Sequence, residues 1–397
     1  VGICRLGANV PISSGFSFGR FREKHVESKP VKQDKVILMK VPECIARLKP
    51  YVPGKPIEEL EREYGISDSI KLASNENPIG PSPKALEAIM DALKNLHRYP
   101  DGNDYYLRKR LAEKLKVSFN QIVVGNGSNE IIELLVRTFL REGDEVIMPE
   151  PSFLMYEIMV QAGGGRPVKV ALKERVLDLE SMAESISSRT CMIFVNNPNN
   201  PTGTIVSRDD FEEFLQQVPP GVIVVMDEAY IEFVRDRTCP TGLDYLDGEK
   251  TVVTLRTFSK TYGLAGLRIG YGVMKENLAD LMHRVRQPFN TNLLAQVGAL
   301  AALDDDAFLD KTVNTVHKGL DFLYREVEKL GLRYFPTQTN FFLIDLERDA
   351  KSVFENMLRR GVIVRPMTAY GYPNYIRISV GLPEENQRFV ETLKKVI

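Results

Sequence analysis

Three short segments of this 397-residue sequence carry side chains that could act together on one reacting group. The first is Asn196-Asn197-Pro198-Asn199-Asn200-Pro201-Thr202-Gly203 and the second Asp227-Glu228-Ala229-Tyr230. The third is Ser259-Lys260, followed by Gly266-Leu267-Arg268. Each comes after an apolar run rich in Val and Ile, where a buried strand would end. Ligands of a parallel α/β sheet bind beyond the carboxyl ends of its strands, so the three segments are expected to converge. Taken singly, each has an ordinary explanation. Lysines are mostly solvated, an aspartate often caps a helix, and Asn-Pro-Thr-Gly is a turn in most proteins. Their order after three separate strands is what singles them out.

Converged, they supply an amine, a carboxylate, an amide, a phenol and a guanidinium, the inventory that pyridoxal phosphate requires. A lysine close to a cationic phosphate site loses its proton more readily and can attack an aldehyde to form a Schiff base. A carboxylate such as Asp227 favours the protonated, electron-accepting form of a pyridine nitrogen. Asn200 and Tyr230 can donate an amide N–H and an O–H to the ring oxygen. Gly127-Ser128-Asn129, opening a helix at residue 130, can present backbone N–H groups to a phosphate. Ser259 and Arg268 add a hydroxyl and a bidentate fork.

These groups need a scaffold, and the hydrophobic rhythm describes one. Residues 82–94 and 103–117 read as amphipathic helices, and residues 121–125 as a strand feeding the helix at 130–140. Strands are expected at 145–149, 192–196, 222–227, 252–257 and 268–274, and a helix at 153–162. The strand runs are nearly continuous in apolar character, as in a mostly parallel sheet covered by helices on both faces. Past about residue 305 the rhythm changes to a smaller α+β pattern: helices at 306–330 and 351–360, strands at 340–345, 362–365 and 375–380, and a closing helix. The expected division is a large domain at 77–304, a small domain at 305–397, and a segment at 39–76 packing with the small one. Residues 1–38 form an N-terminal extension, poorly structured, with no acid before residue 23. Their composition suits a short organellar transit peptide, a mis-assigned start or a cloning remnant.

Bulk properties narrow the function classes. A net charge of −1 suggests neither nucleic acid nor a polybasic membrane anchor. No run approaches the roughly 18 apolar residues of a membrane span. Cys4, Cys44, Cys191 and Cys239 lie far apart, as reduced thiols of a cytoplasmic protein would, and fit neither a zinc cluster nor a disulfide framework. The four histidines share no spacing, so no metal is expected. Gly163-Gly164-Gly165 lacks the Lys-Ser/Thr ending of a phosphate loop and reads as a flexible helix end.

The run Asn199-Asn200-Pro201-Thr202-Gly203, with Asp227-Glu228-Ala229-Tyr230 and Ser259-Lys260 leading to Gly266-Leu267-Arg268-Ile269-Gly270, resembles the fold-type I pyridoxal-phosphate-dependent aminotransferases. Within that class II family the chain is most similar to the histidinol-phosphate aminotransferases, over residues 40–397. The resemblance implies that Lys260 carries the cofactor as an aldimine and moves the proton, with Asp227 and Tyr230 as its catalytic companions. Asp227 would partner the ring nitrogen, and Asn200 and Tyr230 the ring oxygen. Gly127, Ser128, Ser259 and Arg268 would bind the phosphate. Phe153 would stack on the ring, and Tyr99 would reach the phosphate of a neighbouring subunit, which implies a homodimer. Tyr51, Asn77, Asn340, Arg365 and Arg377 match substrate-binding positions. Arginine suits a site that grips a phosphate in one half-reaction and glutamate's carboxylates in the other.

Plainer readings stay open at several positions. Gly127-Ser128 also suits a turn with a helix cap, Phe153 a core aromatic, Tyr99 a loop tyrosine, and Arg365 and Arg377 surface ion pairs. The implied reaction is amino transfer between L-histidinol phosphate and 2-oxoglutarate, a step of histidine biosynthesis. Rivals on the same scaffold are an aromatic-amino-acid aminotransferase and a threonine-phosphate decarboxylase. A non-catalytic regulator is a third class, against which the intact Lys260 argues.

Overall fold

Residues 40–50 and 54–397 are described by the structure, a computed structural model. The extension at 1–38 and Tyr51 lie outside the described residues. Among the described residues thirteen strands follow in chain order: β1 (Ile70–Lys71), β2 (Ile122–Gly125), β3 (Glu145–Glu150), β4 (Arg166–Ala171), β5 (Thr190–Asn196), β6 (Ile223–Asp227), β7 (Thr251–Thr257), β8 (Gly270–Val273), β9 (Arg333–Phe335), β10 (Phe341–Asp345), β11 (Val362–Ile363), β12 (Arg365–Pro366) and β13 (Tyr375–Ser379).

Strands β2 to β8 make one seven-stranded sheet in the order β2-β8-β7-β6-β5-β3-β4. The run from β7 to β4 is parallel, and β8 is antiparallel to both its neighbours. Alternate residues point to opposite faces of a strand, and here both faces are covered. Met192 and Phe194 join Ile223, Val225, Val253 and Leu255 in a core under the helices Gly127–Phe139, Met155–Ala162 and Glu276–Val285. Their neighbours Ile193, Val195, Val224, Met226 and Val252 face the opposite way, into a core with the helices Leu179–Glu184 and Arg208–Gln217. Burial on both sides is why these runs are apolar without alternation. The fold is the expected one: a mostly parallel sheet flanked by helices, with an α+β portion beside it.

That second portion is built on an antiparallel sheet, β12-β13-β10-β9. The helices Asp306–Lys329, Ala350–Leu358 and Pro383–Val396 pack on it through Val316, Leu320, Met357 and Phe389. The N-terminal segment joins this side: β1 pairs in parallel with β11, Ile70 opposite Val362. Leu60 and Ala73 pack with Leu358 and Ile363.

Several elements differ from the sequence expectation for identifiable reasons. β4 is an edge strand with Val170 as its one buried residue, so it presents no apolar run. The helix Leu293–Leu303 shows no polar face because it buries most of its circumference against the helices Pro83–Ala92 and Tyr105–Leu115. The strand expected at 268–274 begins only at Gly270, because Arg268 is left-handed at φ 57°. The helix expected to open at residue 130 starts at Gly127.

Candidate active site

The ends of β5, β6 and β7 open onto a cavity of about 370 Å³ between the large sheet and the small one. Twelve of the residues singled out from the sequence line it: Gly127, Ser128 and Asn129, then Phe153, Asn200, Asp227 and Tyr230, then Ser259, Lys260 and Arg268, and finally Arg365 and Arg377.

The floor is made by the large sheet. Asp227 ends β6 and is 3% exposed. Its Oδ2 accepts a 2.7 Å hydrogen bond from the Tyr156 hydroxyl, and Oδ1 accepts from the Ala229 backbone N–H at 3.2 Å. Burial raises its carboxyl to about 6, against the lowering effect of those two donors. Lys260 donates from Nζ to the Ser74 carbonyl at 3.2 Å. Burial lowers its amine to about 8, helped by the Arg377 and Arg268 cations and opposed by Glu76. The cavity therefore pairs a carboxyl and an amine whose charged forms are both disfavoured by desolvation, as functional sites often do.

One end of the floor is a helix N-terminus. The helix Gly127–Phe139 carries no side-chain cap on its first N–H groups. Glu130 instead reaches back to the Asn126 backbone N–H at 2.6 Å, fixing the entry of the chain. Gly127 has φ 75°, a conformation that favours glycine, and a Cβ there would lie 2.9 Å from Arg268 Nη2 and press the guanidinium away from the helix start. Arg268 is held by a 3.1 Å bond to the Ala265 carbonyl. The Ser259 hydroxyl accepts from Thr257 Oγ1 at 3.0 Å, which leaves its own proton to donate. Orphan N–H groups, a hydroxyl and a fixed cation make an anion cradle.

The wall comes from the N-terminal segment and the small sheet. Arg365 and Arg377 are register partners on β12 and β13. Arg377 is 6% exposed; its Nη1 donates to Asn200 Oδ1, its Nη2 to the Ala73 carbonyl at 3.0 Å, and its Nε has no partner among the described residues. Because Asn200 accepts through its oxygen, its amide NH2 remains as a donor. Tyr230 accepts from Asn75 Nδ2 at 2.9 Å, so its hydroxyl proton is likewise left to donate. Burial raises that phenol to about 12, which keeps it protonated.

Tyr156, Asn75 and Ser379 are the residues that sequence reasoning missed. Asn75 is left-handed at φ 55°. Its backbone N–H donates to Ser379 Oγ at 2.8 Å, its Oδ1 accepts from the same hydroxyl at 3.0 Å, and its carbonyl accepts from Asn340 Nδ2 at 3.1 Å. Asn340 thus stands behind the wall, fully buried, and does not line the cavity. Asn77 also turns away, donating to the Thr261 carbonyl and to Thr312. Tyr99 is 82% exposed and stacks on Phe289 at 4.8 Å, apart from this chain's own cavity.

The residues present fit pyridoxal phosphate. A Cβ at Gly127 would push the Arg268 guanidinium out of the anion cradle, Asp227 is an acceptor at the floor, and two donors, Asn200 and Tyr230, border the cavity. Phe153 and Lys260 line the same space.

Comparison with known proteins agrees. Residues 67–393 match the family "Aminotransferase class I and II". The histidinol-phosphate aminotransferase of Moorella thermoacetica is 47% identical over 370 residues, 92% of this chain and 96% of the relative. That of Desulfotalea psychrophila is 48% identical over 368 residues, 92% and 97% of the two chains. Among solved structures, the histidinol-phosphate aminotransferase of Sinorhizobium meliloti in complex with pyridoxal-5'-phosphate superposes with a TM-score of 0.83. It is 27% identical, with 90% of this chain and 97% of that one covered. The chain belongs to the class I and II aminotransferases.

Proposed function

We propose that this class I and II aminotransferase exchanges an amino group between L-histidinol phosphate and 2-oxoglutarate, giving imidazole-acetol phosphate and glutamate, reversibly. Bound pyridoxal phosphate supplies an electron-withdrawing ring that accepts the electrons of the substrate's α C–H bond. The protein's residues do the rest. Gly127, Ser128, Asn129, Ser259 and Arg268 hold the phosphate. Asp227 keeps a proton on the ring nitrogen, Asn200 and Tyr230 donate to the ring oxygen, and Phe153 covers one face. Lys260, more easily deprotonated than a solvated lysine, moves the proton at the substrate's α-carbon.

The substrate reading rests on one observation, the side-by-side arginines of β12 and β13 at the cavity wall. Histidinol phosphate has no α-carboxylate, and its phosphate ester takes that place. A dianion in a partly dry cleft calls for more than one cation. Tyr51 is proposed to complete the substrate site, with Asn340 acting through Asn75 and Asn77 acting only indirectly, through the Thr261 carbonyl next to Lys260. The test is steady-state turnover with 2-oxoglutarate of histidinol phosphate, histidinol, phenylalanine and threonine phosphate. A preference of at least about a hundredfold for histidinol phosphate over histidinol is expected, since the second offers no dianion to these arginines. Equal efficiency on the two, or faster turnover of phenylalanine, would move the protein to the aromatic aminotransferases.

A homodimer is part of the reading. Leu86, Met90, Leu93 and Leu96 are 45–63% exposed beside Tyr99, an apolar face suited to a second copy whose phosphate Tyr99 would reach. Activity in a monomeric fraction would refute it. A cytoplasmic location is proposed with it. Among the described residues no helix is long and apolar enough to cross a membrane.

A further inference from the structure

Tyr156 lies in the first turn of the helix Met155–Ala162 and is 1% exposed, deeper than any role assigned so far requires. Its ring is clamped. It stacks on Phe194 of β5 at 4.3 Å with the planes 8° apart, and meets the edge of Phe153 at 5.5 Å. From this clamp the hydroxyl donates to Asp227 Oδ2 at 2.7 Å. A buried tyrosine that only filled space would be a phenylalanine, because an unpaired hydroxyl costs free energy there.

Asp227 receives two protein donors, one on each oxygen: the Tyr156 hydroxyl and the Ala229 N–H. Both require the carboxyl to accept. The carboxyl still lines the cavity, so it has lone pairs left for a ligand there. With both oxygens tethered, the carboxyl plane is fixed. We propose that Tyr156 is a positioning residue that, through this one hydrogen bond, holds Asp227 as an acceptor aimed at the cofactor's ring nitrogen. The inference rests on the cofactor reading above and extends it to a residue outside the cavity lining.

Two further features support it. Phe153 and Tyr156 sit one turn apart on one short stretch, the Tyr156 N–H closing on the Phe153 carbonyl at 3.1 Å. The ring that borders the cavity and the hydroxyl behind Asp227 are therefore set by the same backbone. Burial pushes the Asp227 carboxyl up to about 6, and the Tyr156 hydrogen bond is the largest of the effects holding it down. Without that donor the carboxyl would protonate at higher pH and lose its hold on a ring proton.

The experiment compares binding of two ligands to cofactor-free protein. One is pyridoxal phosphate and the other its 1-deaza analogue, with C–H in place of the ring nitrogen. Wild type is expected to prefer pyridoxal phosphate. Tyr156→Phe, which keeps the ring and removes the oxygen, should shrink that preference by about tenfold or more. The loss should fall on pyridoxal phosphate alone, with thermal unfolding near wild type. In an Asp227→Asn background, Tyr156→Phe should change nothing further. The pH below which pyridoxal phosphate affinity declines should also move upward in Tyr156→Phe. An undiminished preference, an equal weakening of both ligands, or a further effect of Tyr156→Phe in the Asp227→Asn background overturns the proposal. If wild type itself fails to bind or to distinguish the two ligands, the cofactor reading falls, a result separable from failure of the variant alone.

Discussion

The floor of the cavity and its wall are built on different principles. On the floor, Asn200, Asp227 and Lys260 follow adjacent parallel strands, and sheet topology alone brings them together. In the wall, Asn75 meets Ser379 across 304 residues of sequence, and Arg377 reaches Asn200 across 177. The floor's residues are placed by local turns on a rigid sheet. The wall's residues are placed by packing of the N-terminal segment against β11, β12 and β13, and each holds another through a side chain. Chemistry on the floor should therefore fail residue by residue, whereas changes in the wall should spread.

The largest expected effect is on the floor. Lys260→Ala should remove turnover while leaving cofactor bound through its phosphate contacts, read as loss of activity with retained absorbance after gel filtration. Near-native transamination by this variant would break the comparison at its centre. Next comes the wall. Arg377→Ala should lower kcat/KM for histidinol phosphate and for glutamate alike, by roughly 2–5 kcal/mol. A loss confined to one substrate would make Arg377 a local contact and not a shared anchor.

Where floor and wall touch, stability is the readout. A Cβ on Gly203 would collide with Thr337 Oγ1, and the residue has φ 74°. Gly203→Ala should cost about 1–3 kcal/mol of unfolding free energy in denaturant titration. Gly221→Ala, with φ 92° and nothing near its Cβ, isolates the backbone share and should cost less. Equal losses would mean that the junction adds no constraint.

The smallest effect is a shift in pH. Covalent capture of the cofactor aldehyde by Lys260, trapped with borohydride, needs the neutral amine. Capture should therefore rise with pH, with a midpoint near 8. Arg377 is the largest charged influence lowering that amine, so Arg377→Ala should move the midpoint upward. An unmoved midpoint would separate wall from floor electrostatically.

The same contrast explains what could be read before the fold was known. Asp227 and Lys260 stand out because each follows a run of apolar residues, a pattern created by burial on both faces of a sheet. Tyr156 sits one helical turn beyond Phe153, and its types of neighbour look like any core helix. The spacing of two aromatics at i and i+3 was the available signal, and it carries no chemistry by itself. Asn75 and Asn77 share the motif Asn-Glu-Asn-Pro, and resemblance pointed to the second. The one that touches Tyr230 is the first, and its left-handed backbone depends on Ser379 and Asn340, far along the chain. Nothing local records such a partnership.

The turn at Asn199–Gly203 has a kinematic consequence. The Gly203 carbonyl accepts from the Gln338 backbone N–H at 2.8 Å and from Thr337 Oγ1 at 3.3 Å, while the Gly203 N–H closes the turn on Asn199. Gln338 in turn accepts from the Arg235 and Asp236 amides. The turn that carries Asn200 is thereby tied to the loop ahead of β10 and, through Gln338, to the stretch that follows Tyr230, so a displacement of any one of the three is passed to the other two.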